Sequence, residues 1–168
     1  MTKKIVSLFL LLLVFYLSSC TNDEECRKNR YVNLELGIYH VTYNATTGTS
    51  TKTSLSIDSI TINGVKEING ISIIIDSIFY NNEKGVSELT LALDKSTNQS
   101  VFLAQFNNVT DTLTILYTPY DYYLSLECGC IKTFSIDTVL TTNNFIDSIK
   151  ITNHNVTNVD AEHIQIYK

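Results

Sequence analysis

Alanine is scarce in this chain, with 4 in 168 residues, and proline occurs once, at Pro119. So little of the strongest helix former, set beside 21 Thr and 19 Ile, points away from helices and towards strands. With a single proline and 6 glycines, no Pro/Gly-rich linker divides residues 26–168. Positive charge is also in deficit, 12 Lys and Arg against 17 Asp and Glu, a formal net charge of −5. That balance excludes a nucleic-acid partner, because phosphate binding needs a basic face. Charged residues make up only 17% and hydrophobic residues 44%, which excludes a disordered chain. The length suits one domain with a core of its own. Catalytic signatures are missing too: G-x-S-x-G, H-E-x-x-H, the P-loop and G-x-G-x-x-G do not occur. No acidic pair has a recognisable partner for glycoside hydrolysis, and no cofactor motif is present. The chain therefore reads as non-enzymatic.

What is there begins with an export signal. Lys3 and Lys4 precede an apolar run from Ile5 to Leu17, then Leu17-Ser18-Ser19-Cys20. A positive start, a short apolar stretch and small residues before a cut site make a secretory leader. The run is 13 residues, whereas a spanning helix needs about 20. The tetrapeptide looks like a bacterial lipobox, in which Cys20 becomes the lipidated first residue. Several acyl chains on one residue hold a protein to a bilayer, at about 0.8 kcal/mol per buried methylene. Residues 1–19 are then the signal peptide, 20–30 the lipidated cysteine and acidic tether, and 31–168 a single β-domain. Loss of Lys3 and Lys4 leaves 10 positive against 17 negative charges in the exported chain, net −7. The acidic Asp23-Glu24-Glu25 next to the lipid resembles a surface-export signal of Bacteroidetes-type lipoproteins, or else is a solvated spacer. The location expected is the outer membrane, on its periplasmic face or at the cell surface.

Three cysteines remain after Cys20: Cys26, Cys128 and Cys130. Cys128 and Cys130 are too close in sequence to bridge each other comfortably, so Cys26 is expected to pair with Cys128, with Cys130 as the alternative. Such a bridge closes a loop of about 100 residues and contributes roughly 4–5 kcal/mol in the chain-entropy picture. The competing reading is a C-x-C redox pair or soft-metal site, for which no flanking ligand set is present.

Between residues 31 and 168 apolar positions alternate, as in Val32-Leu34-Leu36-Ile38, Leu89-Leu91-Leu93 and Leu113-Ile115-Tyr117. Clusters at Asn44–Thr51, Asn81–Gly85, Lys95–Ser100 and Asn107-Asn108 separate the runs. The fold expected is an all-β, Ig-like antiparallel sandwich of about nine strands, with an eight-stranded barrel as runner-up. An Asp-Ser/Thr-aliphatic tripeptide recurs from Asp58, Asp76, Asp111, Asp137 and Asp147 at irregular spacing. Asp can close a turn on its own backbone, so the tripeptide is expected to open strands. The parity switch across Asp58-Ser59 points to a bend. The same tripeptide matches an O-glycosylation pattern of exported Bacteroidetes proteins, with Ser59, Ser77, Thr112, Thr138 and Ser148 as acceptors.

Lipobox, acidic spacer, early cysteine, the strand into Cys128-Gly129, Phe145–Ile151 and the closing His163–Tyr167 together carry a resemblance. The chain resembles an uncharacterised family of small Bacteroidetes lipoproteins, described only as a domain of unknown function. The resemblance implies an outer-membrane setting, an all-β domain and a β-barrel membrane protein as partner; it carries over no catalytic residues. Two further clusters stand out. His154, Asp160, Glu162 and His163 supply metal-ligand chemistry if a final hairpin gathers them, though a polar turn and strand face is the simpler reading. Tyr117-Thr118-Pro119-Tyr120-Asp121-Tyr122-Tyr123 reads as tyrosines around a proline turn, with Tyr120 and Tyr123 the candidates for contact with a glycan, peptide or protein. The function expected is a lipid-anchored accessory or assembly subunit of a membrane protein; the alternative is a glycan- or peptide-binding lipoprotein.

Overall fold

The computed structural model describes Cys26 and residues 30–68, 71–126 and 128–168. The signal peptide expected over residues 1–19, Cys20 and Asp23–Glu25 lie outside the described residues. Eleven strands carry the fold: β1 (Leu34–Asn44), β2 (Thr49–Ser54), β3 (Ile60–Ile68), β4 (Ile71–Glu83), β5 (Glu88–Leu91), β6 (Gln99–Phe106), β7 (Val109–Ser125), β8 (Gly129–Thr141), β9 (Ser148–Ile151), β10 (Asn155–Val156) and β11 (Glu162–Tyr167). They form two sheets, one in the order β2-β1-β11-β9 with β5 also on β1, the other β10-β8-β7-β6-β3-β4.

Alternation builds the core. In β6 every second residue from Ser100 to Phe106 is buried, and in β7 every second residue from Asp111 to Tyr117. The inward residues of both sheets, among them Leu34, Leu36, Ile164 and Ile166 from one and Phe102, Leu113, Ile115 and Phe134 from the other, join one hydrophobic cluster. The chain is therefore a β-sandwich. Among the described residues its sheets do not join into a closed barrel, and β4 and β10 are the edges of the larger one.

Two details differ from the sequence expectation. Eleven strands replace about nine, because short segments such as β10 and β5 carry too little pattern to stand out. The β1–β11 pair is parallel, Leu36 opposite Ile164 and Ile38 opposite Ile166, while every other strand pair is antiparallel. Gly37 lies in this seam. A Cβ there would meet the Glu162 carboxylate and come within 2.6 Å of the Tyr39 ring.

Pro119 is not in a turn. It sits inside β7 opposite Phe134, in a strand that runs unbroken to Ser125. The ladder of β7 with β6 ends at Leu116, followed by one bond from the Tyr117 N–H to the Asn98 carbonyl, and beyond it β7 pairs among the described residues with a strand on one side only. A residue without an N–H fits there because its open side needs no donor. Nor does the Asp-Ser/Thr tripeptide generally open strands. Ser148 begins β9 and Ile60 begins β3 after a bend at Asp58, but Ser77, Thr112 and Thr138 lie within β4, β7 and β8. Asp137 is the extra residue of a bulge, since Leu116 faces Thr138 and Tyr117 faces Ile136.

Candidate functional site

Past Leu116, β7 and β8 continue as a two-stranded ribbon that pairs with β10 at Phe134 and Ser135 and sends Ile131 and Phe134 into the core. Asp121 faces Lys132, Tyr122 faces Ile131, Tyr123 faces Cys130, and the ribbon turns after Ser125. Cys26 is joined by a disulfide to Cys128 in that turn, with Cα atoms 5.2 Å apart. The pairing expected from the sequence is the one formed. Arg30 reinforces it, its Nη2 donating to the Cys128 carbonyl at 2.9 Å, while the Cys128 N–H donates to Ser125 Oγ at 3.0 Å. Cys130 is a free, exposed thiol.

The ribbon is rich in exposed aromatic and apolar surface. Tyr122 is 49% exposed, Tyr123 55% and Leu126 95%. Tyr120 is exposed too, but it does not share a face with Tyr123: alternation puts Tyr120 and Tyr122 on one side and Tyr123 on the other. Tyr117, at the base, is buried. Its hydroxyl donates to the Asp94 carbonyl at 2.8 Å and lies 2.7 Å from Ser100 Oγ, tying the loop before β6 to β7. Around Cys130, a shallow depression gathers Arg30, Lys95 and Lys132 with Asp121; Lys132 Nζ lies 2.9 Å from the Asp121 carboxylate.

A second concave region lies along the parallel seam. Glu35, Glu88, Asp160 and Glu162 line a cavity of about 480 Å³. Tyr39 donates its hydroxyl to Glu162, Gln165 Nε2 donates to the same carboxylate, and Tyr167 donates to Gln165 Oε1. The bond to Glu162, then burial and the charges of Glu162 and Glu88, push the Tyr39 hydroxyl up to about 12. No sequence signal reveals this cluster, since Glu35 and Glu162 meet only through the β1–β11 register. Among the described residues no group of three or more His, Cys, Asp and Glu is arranged to hold a metal ion.

The histidines of the anticipated metal cluster are occupied separately. His154 Nδ1 lies 2.6 Å from the Ile136 carbonyl. His163 is fully buried rather than on a polar face, and its Nδ1 accepts the Glu35 N–H at 3.1 Å. Its Nε2 has no hydrogen-bond partner among the described residues. Burial holds the His163 imidazole below its ordinary range, opposed by the nearby main chain of Asn155 and Glu35. Asp111 is buried in another way. Burial pushes its carboxyl up, but Thr142 Oγ1 and the N–H groups of Asn144, Ile146 and Phe145 all donate to it and together hold it below the ordinary range. Of the serines and threonines that follow the recurrent Asp, Thr138 and Ser148 are exposed, whereas Ser59, Ser77 and Thr112 are half-buried.

An open groove of about 540 Å³ runs beside β3, β4 and β6, lined among others by Lys66, Phe79, Asp94, Gln99 and Phe102. Phe79 and Phe102 meet edge to face at 5.4 Å along it.

Two sheets over one core, with a hairpin ribbon stapled to the N-terminal segment, define a small all-β domain of the sandwich class. The chain belongs to a family described as "Family of unknown function (DUF6452)", whose model matches residues 67–168, from the end of β3 through β11. No curated protein and no solved structure matches the chain.

Proposed function

We propose that the chain is a non-enzymatic outer-membrane lipoprotein of the Bacteroidetes type. In this reading it is anchored through Cys20 and serves as an accessory or assembly subunit of a β-barrel membrane protein. The observation that carries the partner is β4. It is a 13-residue edge strand whose outer side pairs with no other strand among the described residues, and it exposes Ile73 (44%) and Ile78 (59%). Soluble proteins blunt such edges with charge or cover them, because an open row of backbone donors and acceptors templates another strand. A strand added by a partner would satisfy that edge and bury both isoleucines. The test is affinity purification of the lipidated chain from outer membranes, beside Ile78→Lys. A β-barrel protein retained by the parent and lost from the variant supports the reading; equal recovery with both, or none with either, sinks it. Mass spectrometry of the purified chain checks the anchor, which requires acyl chains on Cys20.

A second reading, glycan or peptide binding, is favoured by the groove beside β3, β4 and β6, where the half-buried Phe79 ring, backed by the buried Phe102, stands among Lys66, Asp94 and Gln99. Apolar faces with a few polar groups suit such ligands. Binding on a glycan or peptide array that Lys66→Ala or Gln99→Ala abolishes would establish it, and Tyr120→Ala separates this groove from the ribbon. No binding across a broad array would dismiss it.

A further inference from the structure

The reach of the tether and the shape of the β7–β8 ribbon place strict limits on where the ribbon can be. Cys20 and Cys26 are six residues apart, a span of at most about 20 Å. Cys26 is bonded to Cys128 in the ribbon's turn, with the two Cα atoms 5.2 Å apart. Resting on the lipoprotein reading above, a lipid on Cys20 therefore holds this turn within about 25 Å of the acyl chains.

At that end the ribbon carries Tyr122, Tyr123 and Leu126, each about half exposed or more. Tyrosine concentrates at membrane–water boundaries, where its ring sits among headgroups and its hydroxyl stays wet. Because alternation points Tyr122 and Tyr123 to opposite sides, a flat partner laid on one side of the ribbon would cover only one of them. An interface entered end-on covers both. Arg30, Lys95 and Lys132 gather near the same end against a single carboxylate, Asp121, in an exported chain of 10 positive and 17 negative charges. Nearby in sequence, Arg27 and Lys28 add two positive charges while Asp23–Glu25 and Glu127 add four negative ones, so the tally balances and the aromatic and apolar surface is the driving contact.

We propose that the β7–β8 ribbon is a membrane-docking element: Tyr122, Tyr123 and Leu126 enter the headgroup region of the bilayer that holds the lipidated Cys20. The disulfide then orients the whole sandwich on the membrane, with the ribbon's turn facing the lipid.

The chain lacks tryptophan, so a single one reports its own depth. The experiment uses the lipidated chain reconstituted into phosphatidylethanolamine–phosphatidylglycerol vesicles, with and without brominated acyl chains as quencher. Tyr122→Trp, Tyr123→Trp and Leu126→Trp are compared with Ile78→Trp on β4, three strands and so roughly 14 Å from β7. Insertion by 5–10 Å should quench all three ribbon tryptophans at least about twofold more than the one at 78. Quenching of only one of positions 122 and 123, or of neither beyond the level at 78, overturns the proposal and leaves the ribbon to a protein or glycan partner. A chain that fails to float with the vesicles overturns the lipoprotein reading itself, and docking with it; a floating chain without the quenching overturns docking alone.

Discussion

Two buried ionisable side chains, Asp111 and His163, contribute to the acid behaviour of the domain, and they act at different pH. Asp111 accepts four hydrogen bonds that no other residue can take over, so Asp111→Ala leaves buried donors unsatisfied. Its expected cost is about 3 kcal/mol, read as a shift in denaturant midpoint at unchanged slope. Because the folded carboxyl lies below its ordinary range, its stabilisation is present above the unfolded value near 3.9 and lost as pH falls through the folded value. His163 works in a higher window. Its folded imidazole lies below about 6.5, so on acidification the unfolded chain binds a proton first. Stability should therefore fall as pH drops from about 6.5 towards the folded value, and His163→Gln should flatten that slope. Equal slopes for parent and variant between pH 7 and 5 would contradict this account. Neither role is written in the local sequence. Asp111 looks like the other four Asp-Ser/Thr copies, and only the long-range return of Thr142–Ile146 reveals it.

Elements were legible wherever alternation was long and had one buried side. The period-2 runs in β1, β6 and the first half of β7 appear in the sequence as they do in the sheets. What stayed hidden was partner choice. The pairing of β1 with β11, the seating of β5 beside β1 and the bulge at Asp137 depend on contacts far apart in the chain, which leave no local trace. Pro119 reads as a turn for a physical reason: proline usually breaks a strand, but here no strand among the described residues pairs with the side that would need its N–H. Replacing it with alanine should accordingly cost less than about 1 kcal/mol, chiefly through the unfolded chain, as a thermal melt would show. The disulfide was legible from exclusion, since adjacent thiols pair badly. Cys26 and Cys128 are 102 residues apart, so Cys26→Ser should lower stability by about 4–5 kcal/mol in equilibrium unfolding under non-reducing conditions. A loss below 1 kcal/mol would mean that the ribbon is held by other contacts.

For the whole molecule, the two-sheet class followed from composition and strand spacing, but the site did not, because a surface made by a ribbon, a tether and a distant cysteine exists only once the chain has folded. The family match to residues 67–168 begins after β1 and β2 and most of β3, yet β1 pairs with β5 and β11 within that match. A fragment of residues 67–168 should therefore fail to fold, giving collapsed amide dispersion in NMR where the full chain gives a dispersed spectrum. The same parallel seam imposes an order of events on biogenesis. β11 lies between β1 and β9, so the first strand waits with one side unpaired until nearly all the chain has followed it. A polypeptide threaded through an export channel from its N-terminus cannot complete this sheet while in transit. Under the export proposed above it would cross unfolded, and β11 would lock β1 only once both have emerged.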